Sequence, residues 1–167
     1  MRAILTMALG ALVAFSSFGV RADDEEKVAL DKLPKAVVDA VKARFPKAEM
    51  VSATKETEDK KTTYEVTIKD GKTTIDVDVT AEGVITGMEK EIAIADLPKE
   101  VAATVTKEHP KGKAVKAEEV IQVKDGKEKL AYYEVTVEEG DKKIEVEVLP
   151  DGKLKPTEKK EEKKDKQ

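Results

Sequence analysis

Hydrophobic and polar positions change period twice along this chain, and the change repeats. Leu33, Val37, Ala40, Val41 and Phe45 fall at i, i+4, i+7, i+8 and i+12, one apolar stripe along a helix of three turns. Asp31 is placed as its N-cap and Pro34 in its first turn, while Pro46 ends it, because the residue before a proline is pushed out of the α region. The period then falls to two: Tyr64, Val66 and Ile68 alternate with Glu65, Thr67 and Lys69, and Ile75, Val77 and Val79 alternate with Asp76 and Asp78. That pattern predicts a β-hairpin with one apolar face. Centring its turn on Asp70-Gly71 pairs Ile68 with Thr73, Val66 with Ile75, Tyr64 with Val77, and Glu65 with Asp76. Further strands are predicted over Glu49 to Thr57 and Val84 to Glu91.

The same grammar returns downstream. Leu97 to Lys111 repeats Leu33 to Lys47 at an offset of 64 residues, with seven of fifteen positions identical, Asp96 before Pro98 and Pro110 as the stop. Tyr133 to Leu154 repeats Tyr64 to Ile85 at an offset of 69, with nine of 22 positions identical. The second hairpin joins Tyr133, Val135 and Val137 to Ile144, Val146 and Val148 about Glu139-Gly140, which sets Glu134 opposite Glu145. Five additional residues therefore lie between helix and hairpin in the second copy, where Lys124-Asp125-Gly126-Lys127 marks a turn after a strand over Ala114 to Val123. The fourth strand of the second copy dwindles to Leu154, Pro156 and a charged tail. The fold class that follows is α+β: two tandem repeats, each a helix packed on a three- or four-stranded antiparallel sheet. A unit of about 60 residues is marginal alone, so the two sheets are expected to join into one.

Residues 1 to 22 read as a signal peptide, with Arg2, an apolar run from Ala3 to Phe15, and a small-residue site at Val20-Arg21-Ala22 that predicts cleavage after Ala22. The run is short for a membrane span, which needs about 20 residues, and acidic residues follow it at once, so no membrane insertion is expected after cleavage. The parts are then 1–22 signal, 23–94 first repeat, 95–154 second repeat and 155–167 disordered charged tail. The chain has no cysteine, which removes disulfides, thiolate metal sites and thiol catalysis. Its formal charge is −4, becomes −6 without Arg2 and Arg21, and falls near −8 without the lysine-rich tail. That balance argues against nucleic acid as a partner.

The Leu-Pro-Lys helix ending in Phe-Pro-Lys, then Tyr-Glu-Val-Thr, an Asp-Gly turn and Ile-Asp-Val-Asp-Val running to Glu-Gly, resembles the PepSY-like domain of exported bacterial proteins. The resemblance covers both copies, about residues 28 to 154, and the tandem arrangement is similar to that of β-lactamase-inhibitory proteins. It implies a periplasmic or secreted domain without enzymatic activity, binding a protein partner and acting as inhibitor or regulator of a peptidase or other envelope enzyme. It transfers no contact residue.

Candidate chemistry lies on the polar side of the hairpins: Glu65, Thr67, Asp76 and Asp78 in the first copy, Tyr132, Glu134, Thr136, Glu145 and Glu147 in the second. Alternating charge marks a solvated sheet face first of all. A basic partner would be steered to it, and calcium is the further reading, which would make the protein a small-ligand or cation sensor, although no Asp/Asn-rich loop supplies six oxygens. Tyr132 must point opposite to its core neighbour Tyr133, as cover for the acidic face or as a contact anchor. His109, the only histidine, stands where the first copy has Phe45 and reads as a partly buried helix-end residue. No oriented nucleophile or base, phosphate loop or zinc-binding His pair is present, so no catalytic residue, metal or cofactor is assigned.

Overall fold

A computed structural model describes residues 26–58 and 61–156. The expected signal segment, its cleavage site and residues 157–167 of the expected tail lie outside this set. The strands are β1 (Glu26–Lys27), β2 (Glu49–Glu58), β3 (Lys61–Asp70), β4 (Thr73–Thr80), β5 (Ile85–Ile92), β6 (Lys113–Lys124), β7 (Lys127–Glu139) and β8 (Lys142–Val148), and the helices are α1 (Lys35–Arg44) and α2 (Lys99–Glu108). The eight strands form one antiparallel sheet in sequence order. Every neighbour in the sheet is thus a neighbour in the chain. Most of the molecule is sheet, and β5 pairs with β6 to join the two repeats, Met88 opposite Ile121 and Ile92 opposite Ala117.

Both helices lie on the same side of this sheet. Leu33, Val37 and Val41 pack with Val66, Ile68, Ile75, Val77, Val79 and Met88; Leu97, Val101 and Val105 pack with Tyr133, Val135, Val137, Val146 and Val148. The period-2 strands turn every second residue toward the helices, and the fully buried positions are mostly valine, a shape that suits a pleated surface. The two clusters interlock at the junction. Ile121 and Val123 of β6 pack against the first cluster, and Ile92 of β5 against the second. The five-residue insertion lengthens the β6–β7 hairpin so that it reaches the first repeat, where Glu128 meets the Arg44 guanidinium at 2.7 Å.

Both helix starts differ from expectation. Asp31 and Asp96 sit in separate 3-10 turns, Leu30–Lys32 and Ile94–Asp96, and the helices begin after Pro34 and Pro98, which hold the N-cap position with no side-chain hydrogen bond. Leu33 and Leu97, each before a proline, are held extended at ψ of 142° and 137°, so the helix cannot run back to the aspartate. The C-terminal ends match expectation: Phe45 and His109 cap their helices with nearly equal backbone angles, φ −127° and −126°.

The hairpin register also differs, by two residues. Ile68 pairs with Ile75, Val66 with Val77, Tyr64 with Val79, Thr67 with Asp76 and Glu65 with Asp78; Glu134 pairs with Glu147 and Thr136 with Glu145. A shift of two keeps every side chain on its face, so the hydrophobic pattern cannot choose between the registers. The turn decides. Gly71 and Gly140 open the two-residue loops with φ of +65° and +63°, the first loop position that favours glycine in a primed turn.

Among the described residues, the last strand of the second repeat is one bridge, Val148 to Leu154. That bridge is the counterpart of Val79 to Ile85 at the repeat offset of 69. The preceding turn repeats too: Gly83 and Gly152 have φ of +85° and +82° and press against the starts of α1 and α2. A β-carbon on Gly83 would sit 2.7 Å from the Ala36 carbonyl oxygen, and one on Gly152 would sit 2.8 Å from the Glu100 β-carbon. Each substitution Gly83→Ala and Gly152→Ala is therefore expected to destabilise the fold by about 2–3 kcal/mol, against about 1 kcal/mol for Gly71→Ala, which has positive φ but open space. Urea unfolding of the three variants checks this; equal costs would show that the turn–helix contact is irrelevant.

Candidate functional site

Opposite the helices the sheet carries one face, polar except for Gly87 and Val120 at the seam, that runs through both repeats. Four rows cross it, set by the strand register. Glu65, Asp78, Gly87 and Gln122 form the first row and Thr67, Asp76, Glu89 and Val120 the second, which ends on Tyr132; Glu91, Glu118, Glu134 and Glu147 form the third and Lys116, Thr136 and Glu145 the fourth. All nine residues expected on a polar face are on this one.

At the centre, on the seam between the repeats, Asp76, Glu89 and Glu118 each bring a carboxylate oxygen within 4.8 Å of the others. Glu118 is the buried charged residue here, 3% exposed, and Lys116 from the same strand reaches it at 2.8 Å. Asp78 lies beside this group in a niche that exists because residue 87 is glycine: a β-carbon there would stand 2.6 Å from its Oδ2. Burial and the neighbouring carboxylates Glu118, Asp78 and Asp76 push Glu89 up to about 7. Glu134 is pushed up to about 7 by burial and by Glu89, Glu145, Glu118 and Glu147. Asp78 is raised by burial, then by Asp76 and Glu56. Burial works against the Lys116 ammonium, but its hydrogen bond to Glu118 and the surrounding acids hold its pKa above normal. The seam is a place where negative charge exceeds what the local lysine neutralises.

At the β8 end, Lys155 binds Glu147 at 2.9 Å through both carboxylate oxygens and stands 4.0 Å from the centroid of the Tyr132 ring. Lys155, expected in the tail, is thus part of this face. Tyr132 is half-buried there, and burial first, then Glu147, raises its hydroxyl pKa. A bulge places Val120 opposite Tyr132 and Ile121 opposite Leu130, so that Tyr132 faces the acids while Tyr133 enters the core. His109 is off this face, on the helix side, with Nδ1 3.2 Å from Glu139 Oε2.

Glu89, Glu118 and Lys116 were not singled out in the sequence. Glu89 was accessible in principle, since it alternates with Met88 in a predicted strand, but its meeting with Glu118 depends on the β5–β6 register, which no local pattern encodes.

The PepSY-like family profile, described as "Putative beta-lactamase-inhibitor-like, PepSY-like", matches the chain twice, over residues 13–86 and 62–156. The chain belongs to this family. Among solved structures, the PepSY-like chain is similar to a BLIP-like protein from Bacteroides fragilis, with 20% identity, 72% of this chain and 82% of that one covered and a TM-score of 0.52. It is also similar to a protein from Bacteroides eggerthii described among "putative periplasmic proteins", with 17% identity, 72% and 84% covered and a TM-score of 0.58. A DUF2874 family protein from Bacteroides uniformis aligns at 15% identity, 72% and 85% coverage and a TM-score of 0.56. At these identities the likeness is one of fold. No curated protein matches the chain. Among the described residues, no helix is long and apolar enough to cross a membrane.

The raised carboxylates set a pH dependence. Glu89 and Glu134 bind protons more tightly folded than unfolded, so their favourable contribution is complete below pH 4.5 and is lost as pH rises to about 7. Stability is expected to fall by about 1–3 kcal/mol across that window, a figure reduced for solvent screening at a half-exposed face. Glu89→Gln should flatten the decline and stabilise the protein at pH 8. Urea unfolding at pH 5 and pH 8 measures it; an unchanged slope in the variant would show that Glu89 ionises normally.

Proposed function

We propose that the protein is an exported, non-enzymatic binding module that holds a protein partner on the acidic face of its sheet and so inhibits or regulates a peptidase or other envelope enzyme. The observation that carries this reading is the continuity of the face: the acids of both repeats share one surface, and at the seam they crowd until their pKa values rise. A basic surface brought against them relieves that repulsion, so the free energy stored in the crowding favours association. Family membership supports a binding role, and the "beta-lactamase-inhibitor-like" wording supports an enzyme as the partner. Export rests on the N-terminal pattern and on the periplasmic description of the Bacteroides eggerthii structure.

A purified full chain, immobilised and exposed to envelope extract, is expected to retain a partner that elutes as salt is raised. Asp76→Lys and Glu134→Lys should each cut recovery by about tenfold, and Tyr132→Ala by less. Equal recovery by wild type and both lysine variants would rule out the face.

A second reading is favoured by one observation, the convergence of Asp76, Glu89 and Glu118. In this reading the seam takes a divalent cation such as calcium and the module reports its concentration. Three carboxylates supply half of the oxygens that calcium usually wants, leaving the rest to water. Millimolar calcium is then expected to raise the melting temperature of the wild type and not of Glu89→Gln, since a ligand of the native state must stabilise it. An unmoved wild-type midpoint eliminates this reading.

A further inference from the structure

We propose that the outer edge of β8, which no described residue covers from Lys142 to Val146, is a docking site for an extended segment of a partner protein, one that alternates apolar residues with lysine or arginine and adds as a strand. The inference extends the binding reading to a particular strand, and takes from that reading the preference for a basic partner.

The first repeat shows what such an edge accommodates. There β5 pairs along β4, Met88 opposite Val77 on the helix side and Glu89 opposite Asp76 on the polar side. At the offset of 69, β8 is the counterpart of β4, and the turn after it is reproduced bond for bond. Thr80 N–H donates to the Val84 carbonyl at 2.9 Å and Leu149 N–H to that of Lys153 at 2.7 Å, while Gly83 and Gly152 each donate back at 2.8 Å. The returning segment then pairs once, at Leu154, and Lys155 N–H donates to the Glu147 carbonyl at 3.0 Å. Beyond it, Pro156 stands at the position of Gly87 and has no N–H to give, and the sequence from Thr157 onward has no apolar residue to take the place of Met88. Among the described residues, nothing pairs with β8 on this side from Lys142 to Val146.

The edge is also ready for pairing. Alternate residues of a strand direct their backbone groups to the same side. Since the Glu147 carbonyl and the Leu149 N–H both meet the returning segment, Glu145 and Lys143 turn their N–H and C=O outward along the open stretch. Beside this stretch lies a cleft of about 510 Å³, bounded by Ile144, Val146 and Leu154 and by Glu145, Glu147 and His109. An incoming strand would set apolar side chains against Ile144 and Val146 on one side. On the other it would meet Glu134, Glu138, Glu145 and Glu147, with two nearby cations, Lys143 beside Glu138 and Lys155 on Glu147. Acidic residues at alternate positions select basic ones opposite them, and main-chain hydrogen bonds provide the rest, as in other cases of strand addition.

The test uses the full chain and a synthetic, end-capped peptide of alternating lysine and valine. Two control peptides accompany it: one N-methylated at alternate residues, which keeps charge but cannot complete the ladder, and one with glutamate for lysine. Binding of the parent peptide is expected to slow amide hydrogen exchange at Lys143 and Glu145 by about tenfold or more, and N-methylation to weaken binding by about tenfold. Equal binding of the N-methylated peptide overturns strand addition while leaving the acidic face intact as a binding surface. Equal binding of the glutamate peptide overturns the basic partner, and with it the electrostatic reading of the face, while the ladder stands. Slow exchange at Lys143 and Glu145 in the free protein, or a chain that sediments as a dimer and loses that state when Glu145 is replaced by proline, overturns the proposal, since the edge would then already be covered.

Discussion

The pairing of β5 with β6 is the contact on which the rest of the molecule depends. Each repeat has a helix and a few strands, too little to bury a sound core in isolation. Antiparallel pairing across the seam, Gly87 to Ile92 against Ala117 to Gln122, fuses them into one sheet and brings Ile121 and Val123 onto the first core and Ile92 onto the second. The same pairing brings Glu118 up to Asp76 and Glu89, which already face each other across β4 and β5 on the opposite face. One set of backbone hydrogen bonds thus completes two hydrophobic clusters and creates the most crowded acidic site, and the crowding is tolerated because the seam beneath it is held by main-chain bonds and apolar packing.

The differences between the repeats acquire meaning from that seam. The five-residue insertion lengthens the β6–β7 hairpin until Glu128 reaches Arg44 at the end of α1, a clamp between copies that the shorter first hairpin could not form. Among the described residues the final strand is a single bridge, which leaves β8 at the sheet margin, whereas its counterpart β4 is internal. His109 in place of Phe45 keeps the helix ending unchanged and turns a packed aromatic into a partner for Glu139, still on the helix side and away from the acids. Duplication supplied two scaffolds, and divergence made β4 internal in one and its counterpart β8 an edge in the other.

Much of the scaffold was legible because it is local. Helices ended at Pro46 and Pro110 as read, strands fell where the period changed to two, and the nine polar residues expected on one face share it. Errors arose where two local signals compete or where a pattern is degenerate. Asp31 and Asp96 have the chemistry of caps, but the extended residues before Pro34 and Pro98 separate them from the helices and leave them in 3-10 turns. The hairpin register slid by two because period-2 alternation is unchanged by that slide, and only the positive φ of Gly71 and Gly140 breaks the tie.

From the sequence by itself came the tandem organisation, the α+β elements and the sidedness of the sheet, since each is encoded in the spacing of apolar residues a few positions apart. What only the tertiary structure decided is which acids meet. Asp76, Glu89 and Glu118 are separated by 13 and 29 residues along the chain and come within 4.8 Å, the first two through the β4–β5 register and Glu118 through the register of β5 with β6 of the other repeat. Register across a seam is chosen by the packing of both cores at once, a collective condition that no window of sequence contains.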